Sequence, residues 1–241
     1  MTSLNHEWDR NNGSYLSRVE LNHALGSIYG FRYKGVYQYT EYSAEEVPGV
    51  SGPNAPVARD KDGVAILDEN QMTKPMMFCA GTTNYEFRGG DAIYDDVNHD
   101  GSIDELDIVY LGSSLPKFTG GFGFKLKWGR LSWNNQFNFR YGNKVVNKAR
   151  MNAENMYSNN NQSRAVNWRW RVEGDNAMIP RALYREGYNW LGSDRFVENG
   201  SFLRLNYTQL SYSLDPKLIK NWGLSQLSLY LSANNLFCLT G

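Results

Sequence analysis

From residue 118 onward, apolar and polar side chains alternate with a period of two. Phe122, Phe124, Leu126 and Trp128 alternate with Gly121, Gly123, Lys125 and Lys127. After Gly129-Arg130, the residues Leu131, Trp133, Phe137, Phe139 and Tyr141 alternate with Ser132, Asn134, Gln136, Asn138 and Arg140. Period two marks strands, and the two-residue break between the runs marks a hairpin. Each arm has about the length a tilted strand needs to cross a bilayer, roughly 9–11 residues. Trp128 and Trp133 flank the turn, where an interfacial aromatic girdle would sit. The opposite face, with Lys125, Lys127, Gln136, Asn138 and Arg140, suits a watery lumen. A soluble β-sandwich with its apolar face buried gives the same alternation, so the pattern alone leaves both architectures open.

A second hairpin is expected further on. Residues 201–214 lead through Asp215-Pro216-Lys217 to Gly223, and 224–237 return. In the returning arm Leu227, Leu229, Leu231 and Ala233 share one face, and Ser228, Tyr230, Ser232 and Asn234 the other. In the first arm the apolar parity switches between Leu203/Leu205/Tyr207 and Leu210/Tyr212/Leu214, which implies a β-bulge or an upper half standing above a membrane. Between the hairpins, 142–200 is polar and rich in Asn, Arg and Trp, and reads as one long loop. Nearly sixty such residues are excessive for a compact soluble domain and ordinary for the outward side of an outer-membrane barrel. Earlier segments are less regular. Residues 15–22 and the aromatic run 28–39, interrupted by Gly30 and Gly35, read as strands; Ser43-Ala44-Glu45-Glu46 has the form of a capped helix start; 48–75 reads as loop.

Composition adds to this picture. The chain has 241 residues, with 16 Tyr, 11 Phe, 7 Trp and 23 Gly, the material of strands, turns and interfacial belts. The mean hydropathy of −0.57 does not exclude a membrane wall, because a spanning strand has only about half its positions apolar. No run approaches the roughly 20 apolar residues of a membrane helix. The N-terminus has no apolar signal-peptide core, so an exported chain is expected here only as a piece beginning at an internal Met. Lys+Arg and Asp+Glu both number 25. As a whole the chain therefore has no bulk field for nucleic acid or acidic substrates. Cys79 and Cys238 stand far apart and outside any CxxC or Cys/His pattern, and so support neither a disulfide framework nor a zinc site.

The strongest chemical motif is the run 96–107, with the spacing D-x-N-x-D-G-x-I-D-x-x-D. A hard cation such as Ca²⁺ takes six to eight oxygens, which a 12-residue loop supplies from positions 1, 3, 5, 7, 9 and 12, with Gly at 6 for the sharp turn. Those positions are Asp96, Asn98, Asp100, Ser102 (through its carbonyl), Asp104 and Asp107. Position 12 is Asp where the EF-hand has Glu, and no amphipathic helices flank the loop. An Asx-rich turn without an ion is the alternative. A structural role for the ion is expected, not a catalytic one.

Other candidates carry less. His6, His23 and His99 are scattered, and no Ser/His/Asp arrangement can be assembled. Gly120-Gly121-Phe122-Gly123 lies inside a strand pattern, not before a helix, and reads as relief of crowding on the lumen face. Trp168, Trp170, Trp190, Tyr184 and Tyr188 could stack on sugar rings, but packing within the loop is the favoured reading for any one of them. No enzyme chemistry is expected.

Several motifs then resemble one family. Leu25-Gly26-Ser27-Ile28-Tyr29-Gly30-Phe31 with Gly35-Val36-Tyr37-Gln38, Gly90-Asp91-Ala92-Ile93-Tyr94-Asp95-Asp96 with the acidic loop, Leu111-Gly112 with Leu115-Pro116-Lys117, Gly200-Ser201-Phe202-Leu203-Arg204-Leu205, and Asn234-Asn235-Leu236-Phe237 follow in the order of the SusC/RagA-like TonB-linked outer-membrane proteins. The resemblance runs from about residue 20 to the end. It implies an all-β fold: a transmembrane antiparallel β-barrel segment, the C-terminal part of a large plugged barrel of the 22-stranded class, with long extracellular loops. On this reading 1–241 is one partial barrel domain that lacks the plug, the TonB box and the final strands. The family implies import of oligosaccharides or peptides across the outer membrane of a Gram-negative cell, a SusD-like surface lipoprotein as partner, energy from the TonB complex, outer-membrane lipid around the wall and no nucleic acid. The rival expectation is a secreted, calcium-stabilised β-sandwich that binds glycans.

Overall fold

The computed structural model describes residues 23–39 and 56–241, so the strand expected at 15–22 and the helix start at 43–46 lie outside the described residues. The chain divides into two compact units, Met1–Gly112 with Val146–Glu198, and Ser113–Val145 with Asn199–Gly241. Most regular structure is β, and no helix is long and apolar enough to cross a membrane.

The first unit is built from short strands: β1 (Ser27–Gly30), β2 (Tyr33–Val36), β3 (Met77–Ala80), β4 (Thr83–Glu86), β5 (Ala92–Tyr94), β6 (Ser102–Ile103) and β7 (Val109–Ser113). β1 pairs with β7, β2 with β5, and β3 lies between β4 and β6. The aromatic run 28–39 is therefore not one strand. Its two halves belong to different sheets, and Phe31 between them bridges to Ser193. Residues 56–75 are also more ordered than a plain loop. Bridges tie Val57 to Pro75, Arg59 to Ala65 and Leu67 to Thr73, and the turns between them are held by Asp60 and Asp68, each accepting two backbone N–H groups. These are Asx turns, which give a short polar segment a local partner for its backbone donors.

The segment 142–200 is likewise not a free loop. It holds helix α1 (Lys148–Ala153) and two 3₁₀ turns. Met151, Trp190, Leu191 and Phe196 join Tyr29, Phe31, Phe78, Phe87 and Ile103 in one buried cluster. Burying side chains of this size contributes about 1.5–3 kcal/mol each, so the segment supplies part of the core it packs into.

The second unit is one antiparallel sheet. β8 (Phe118–Trp128) and β9 (Leu131–Tyr141) form the expected hairpin, in register from Phe118↔Tyr141 to Trp128↔Leu131. After the short pair β10 (Lys144–Val146) and β11 (Val197–Asn199), β12 (Phe202–Ser213) pairs with β9, and β13 (Ser228–Thr240) with β12. β12 and β13 are joined through helix α2 (Pro216–Ile219), capped by Asp215, and a 3₁₀ turn that ends at Gly223 with left-handed φ. The order β8-β9-β12-β13 leaves β8 and β13 as the edges.

The parity switch in β12 has a structural cause. Leu205 pairs with Phe137 and Tyr207 with Gln136, so Asn206 is one residue extra relative to β9. Against β13, Leu205 pairs with Phe237 and Tyr207 with Asn234, so β13 carries a further extra residue, with Asn235 at φ 52°. β13 is thus two residues longer than β9 over the same span. That is why its alternation looks unbroken in sequence while that of β12 does not.

Candidate functional site

The register sorts the sheet into two faces. One carries the cross-strand rows Phe122-Phe137-Leu205-Phe237, Leu126-Trp133-Leu210-Leu231 and Trp128-Leu131-Tyr212-Leu229. This apolar face is exposed: Leu231 is 75% and Trp128 87% accessible. A contiguous apolar surface of this kind marks a contact with protein or lipid. A polar spot interrupts it, where Asn135, only 2% accessible, accepts from the Thr208 hydroxyl at 2.8 Å. The Trp133 indole donates to the same hydroxyl, while Nδ2 of Asn135 is buried without a hydrogen-bond partner.

The other face is polar. Its rows are Lys125-Asn134-Gln209-Ser232, Lys127-Ser132-Ser211-Tyr230 and Gly121-Asn138-Arg204-Cys238. At one end Phe202 lies opposite Arg140, and the guanidinium carbons of Arg140 and Arg204 lie 5.8 and 5.1 Å from the centre of its ring. A groove of about 440 Å³ lies at Gly121 and Gly123, with Lys125, Asn134 and Gln136 among its walls.

In the first unit, the acidic loop closes on its own backbone. Asp96 accepts from the N–H groups of Asp100 and Gly101, Asn98 from that of Asp100, Asp100 from that of Ser102, and Asp104 from that of Leu106. Asp107 is fully buried; one oxygen accepts from Val97 N–H at 2.7 Å and the other from Asp104 N–H at 2.9 Å, joining the start of the loop to its end. Lys74 donates to the Asp100 carbonyl and approaches the Ser102 hydroxyl. Gly101 is required twice over, since its φ is +79° and a Cβ there would lie 2.6 Å from that of Ala58. Burial, with Asp96 and Asp104 nearby, pushes the Asp107 carboxyl up to about 6 against the pull of its two backbone donors. Among the described residues no three acidic, His or Cys side chains are grouped to hold a metal. The spacing expected for Ca²⁺ is present, but Asp96 and Asp107 face inward.

A second polar centre was not anticipated. Asp91, fully buried, accepts from Arg181 Nε at 2.7 Å, the Tyr85 hydroxyl at 2.8 Å, the Arg88 N–H at 2.9 Å and Asn189 Nδ2 at 3.1 Å. Burial and the neighbouring Asp91 push the Tyr85 phenol well above its ordinary value, so it serves as a donor. In the same unit, Glu154 pairs with both Arg150 and Arg195. Each carboxylate is matched by guanidinium and hydrogen bonds, the condition for burying charge without a large net penalty. Of the aromatic candidates, Trp170 and Trp190 are buried and Tyr188 stacks on Phe78 at 4.0 Å, whereas Trp168 and Tyr184 are exposed. Cys79 and Cys238 are both free.

No family model matches the chain. It is 30% identical over 241 aligned residues, 95% of its length, to TonB-dependent receptor P39 of Formosa agariphila, and 27% identical over 217 residues, 90% of its length, to TonB-dependent receptor P3 of the same bacterium. The chain belongs to the TonB-dependent receptors. It spans about a fifth of the length of these curated relatives, 22% and 18%. The solved structure of the RagAB peptide transporter agrees with it in fold, at a TM-score of 0.57 and 22% identity, over 89% of this chain and 19% of that one. The motifs quoted above now have structural roles in this TonB-dependent receptor chain. Ser27–Gly30 forms β1 in the core, Gly90-Asp91 builds the buried carboxylate centre, Pro116-Lys117 leads into β8, and Asn234-Asn235 makes the bulge of β13.

Proposed function

We propose that the four-stranded sheet is a section of the wall of an outer-membrane β-barrel that imports nutrients. The observation that carries this reading is the pair of opposed faces: strands of 11 to 13 residues with one exposed apolar face and one polar face. In lipid every backbone group must pair, and only a closed barrel lets strands do so; the open edges β8 and β13 then meet neighbouring wall strands. Phe118 and Tyr141 at one end, and Trp128, Trp133 and Tyr212 at the other, sit where aromatic girdles belong. In this reading all of 1–241 is barrel domain. The polar face lines the path of an oligosaccharide or peptide, a SusD-like surface lipoprotein covers the entrance, and the TonB complex supplies energy. Peptide import is carried alongside oligosaccharide import because the solved relative is a peptide transporter.

The experiment is fractionation of the native gene product. It should sediment with outer membranes, resist carbonate and high salt, and enter solution only with detergent. Recovery as a soluble protein would sink the barrel reading and favour the secreted sandwich.

For the acidic loop we propose Ca²⁺ as a structural ligand of Asp96, Asn98, Asp100, Ser102, Asp104 and Asp107. The residue types are those a hard cation takes. Asp107, whose two oxygens accept backbone N–H groups, would have to turn at least one of them toward the ion.

A further inference from the structure

The neutral total of the chain conceals a segregation of charge. Residues 113–145 and 199–241, the second unit, contain nine Lys and Arg and one carboxylate, Asp215, leaving sixteen against twenty-four in the rest of the chain. The four long strands contain no Asp or Glu at all, and all four of their cations, Lys125, Lys127, Arg140 and Arg204, lie on the polar face. All four are exposed. The one carboxylate of the unit already holds Arg130 at 2.6 Å, beside the turn.

We propose that this face binds an anionic oligosaccharide, one bearing carboxylate or sulfate groups; the proposal rests on the reading of the face as the lining of an import path. Cations grouped on one face without carboxylates among them raise the local concentration of counter-ions. Here the field has a fixed layout. Arg140 and Arg204 form a fork over Phe202, and planar guanidiniums held against a ring are placed to grip carboxylate or sulfate through two parallel hydrogen bonds. Lys125 and Lys127 lie about 20 Å away along the strands, six residues at roughly 3.3 Å each, so one extended chain carrying several negative groups meets both poles. Between them the face offers amides and hydroxyls, namely Asn134, Gln136, Asn138, Gln209 and Ser211, which match the hydroxyls of a sugar ring. An extended peptide is recognised chiefly by main-chain bonding along a strand edge, and this face presents side chains only.

The test is calorimetric titration of the detergent-solubilised native protein with three probes of equal length: hexagalacturonate, neutral maltohexaose and hexaglutamate. Hexagalacturonate should bind at least tenfold tighter than maltohexaose, weaken as salt is raised, and lose at least tenfold in Arg140→Gln/Arg204→Gln. Lys125→Gln/Lys127→Gln should lose affinity as well, while Lys220→Gln, off the face, should not. Equal binding of maltohexaose, no binding of hexagalacturonate, or unchanged affinity in both double variants would overturn the proposal. Hexaglutamate binding as tightly as hexagalacturonate would replace the saccharide with an acidic peptide. Neither failure touches the import reading, which fractionation decides separately; charge-dependent binding by a protein found outside the membrane would leave the anion site standing and remove the importer.

Discussion

Arg181 closes on Asp91 across ninety residues of sequence, with Nε 2.7 Å from a carboxylate that has no solvent exposure. Removing one partner of such a pair leaves an uncompensated buried charge, at about 3–5 kcal/mol. Asp91→Ala should therefore destabilise the first unit by about that amount, because Tyr85, Arg88 and Asn189 lose their acceptor as well. Limited proteolysis in urea is the measurement, and a change below about 1 kcal/mol would contradict it.

Gly90 sits beside that pair with φ +84°, and a Cβ there would lie 2.3 Å from the Trp170 ring. Gly90→Ala combines left-handed strain with overpacking, together about 2–4 kcal/mol. The same proteolysis assay should show first-unit opening with the second-unit strands still protected.

Asp107 gives the acidic loop a pH dependence of unusual sign. Its carboxyl titrates near 6 in the folded chain, above its ordinary range. Between about pH 4 and 6 the folded state therefore holds more proton than the unfolded one, and stability falls as pH rises through that window. Hydrogen exchange of Val97 and Asp104 should speed up from pH 4 to 6 beyond the intrinsic rate. Asp107→Asn should flatten that profile; an unchanged profile would mean Asp107 is not the group.

Calcium binding would reverse this trend, since a cation stabilises the ionised form. Millimolar Ca²⁺ at pH 7 should slow protease cleavage within 96–107, and Asp96→Ala with Asp100→Ala should abolish the effect. Equal protection with a chelator present would leave the loop as a set of Asx turns.

Deleting Asn206 removes the extra residue of β12. Leu205 and Tyr207 would then pair with Phe137 and Gln136 without a bulge, so Leu210 and Tyr212 keep the apolar face, but β13 would oppose β12 with two unmatched residues, Asn235 and Leu236, in place of one. The deletion should weaken β12–β13 pairing and lower outer-membrane assembly, measured as heat-modifiable mobility in electrophoresis, and deleting Asn235 as well should restore it. Removing any one residue from the turn at 224–226 should be tolerated.

The hairpin 118–141 was legible because period two is a local signal, and the bulge because a parity break has few explanations. The core role of 142–200 was not. Met151, Trp190, Leu191 and Phe196 enter the cluster singly, without period, beside residues such as Phe31 and Phe78 that lie far away in sequence. The run 28–39 reads as one strand because hydrophobicity does not report which partner each half finds. In the acidic loop, spacing showed the oxygens but not their direction, and Asp107 turns both of its own to the backbone. The cationic face was missed because charge was summed over the whole chain; counting carboxylates strand by strand reveals it from sequence.

The bulges of β12 and β13 act on the sheet as compensated frameshifts act on a reading frame. One added residue in β12 is matched by another in β13, so the faces stay in phase across strands of unequal count. Length variation in this sheet is therefore tolerated in pairs, and a relative that lacks Asn206 should also lack the extra residue at Asn235.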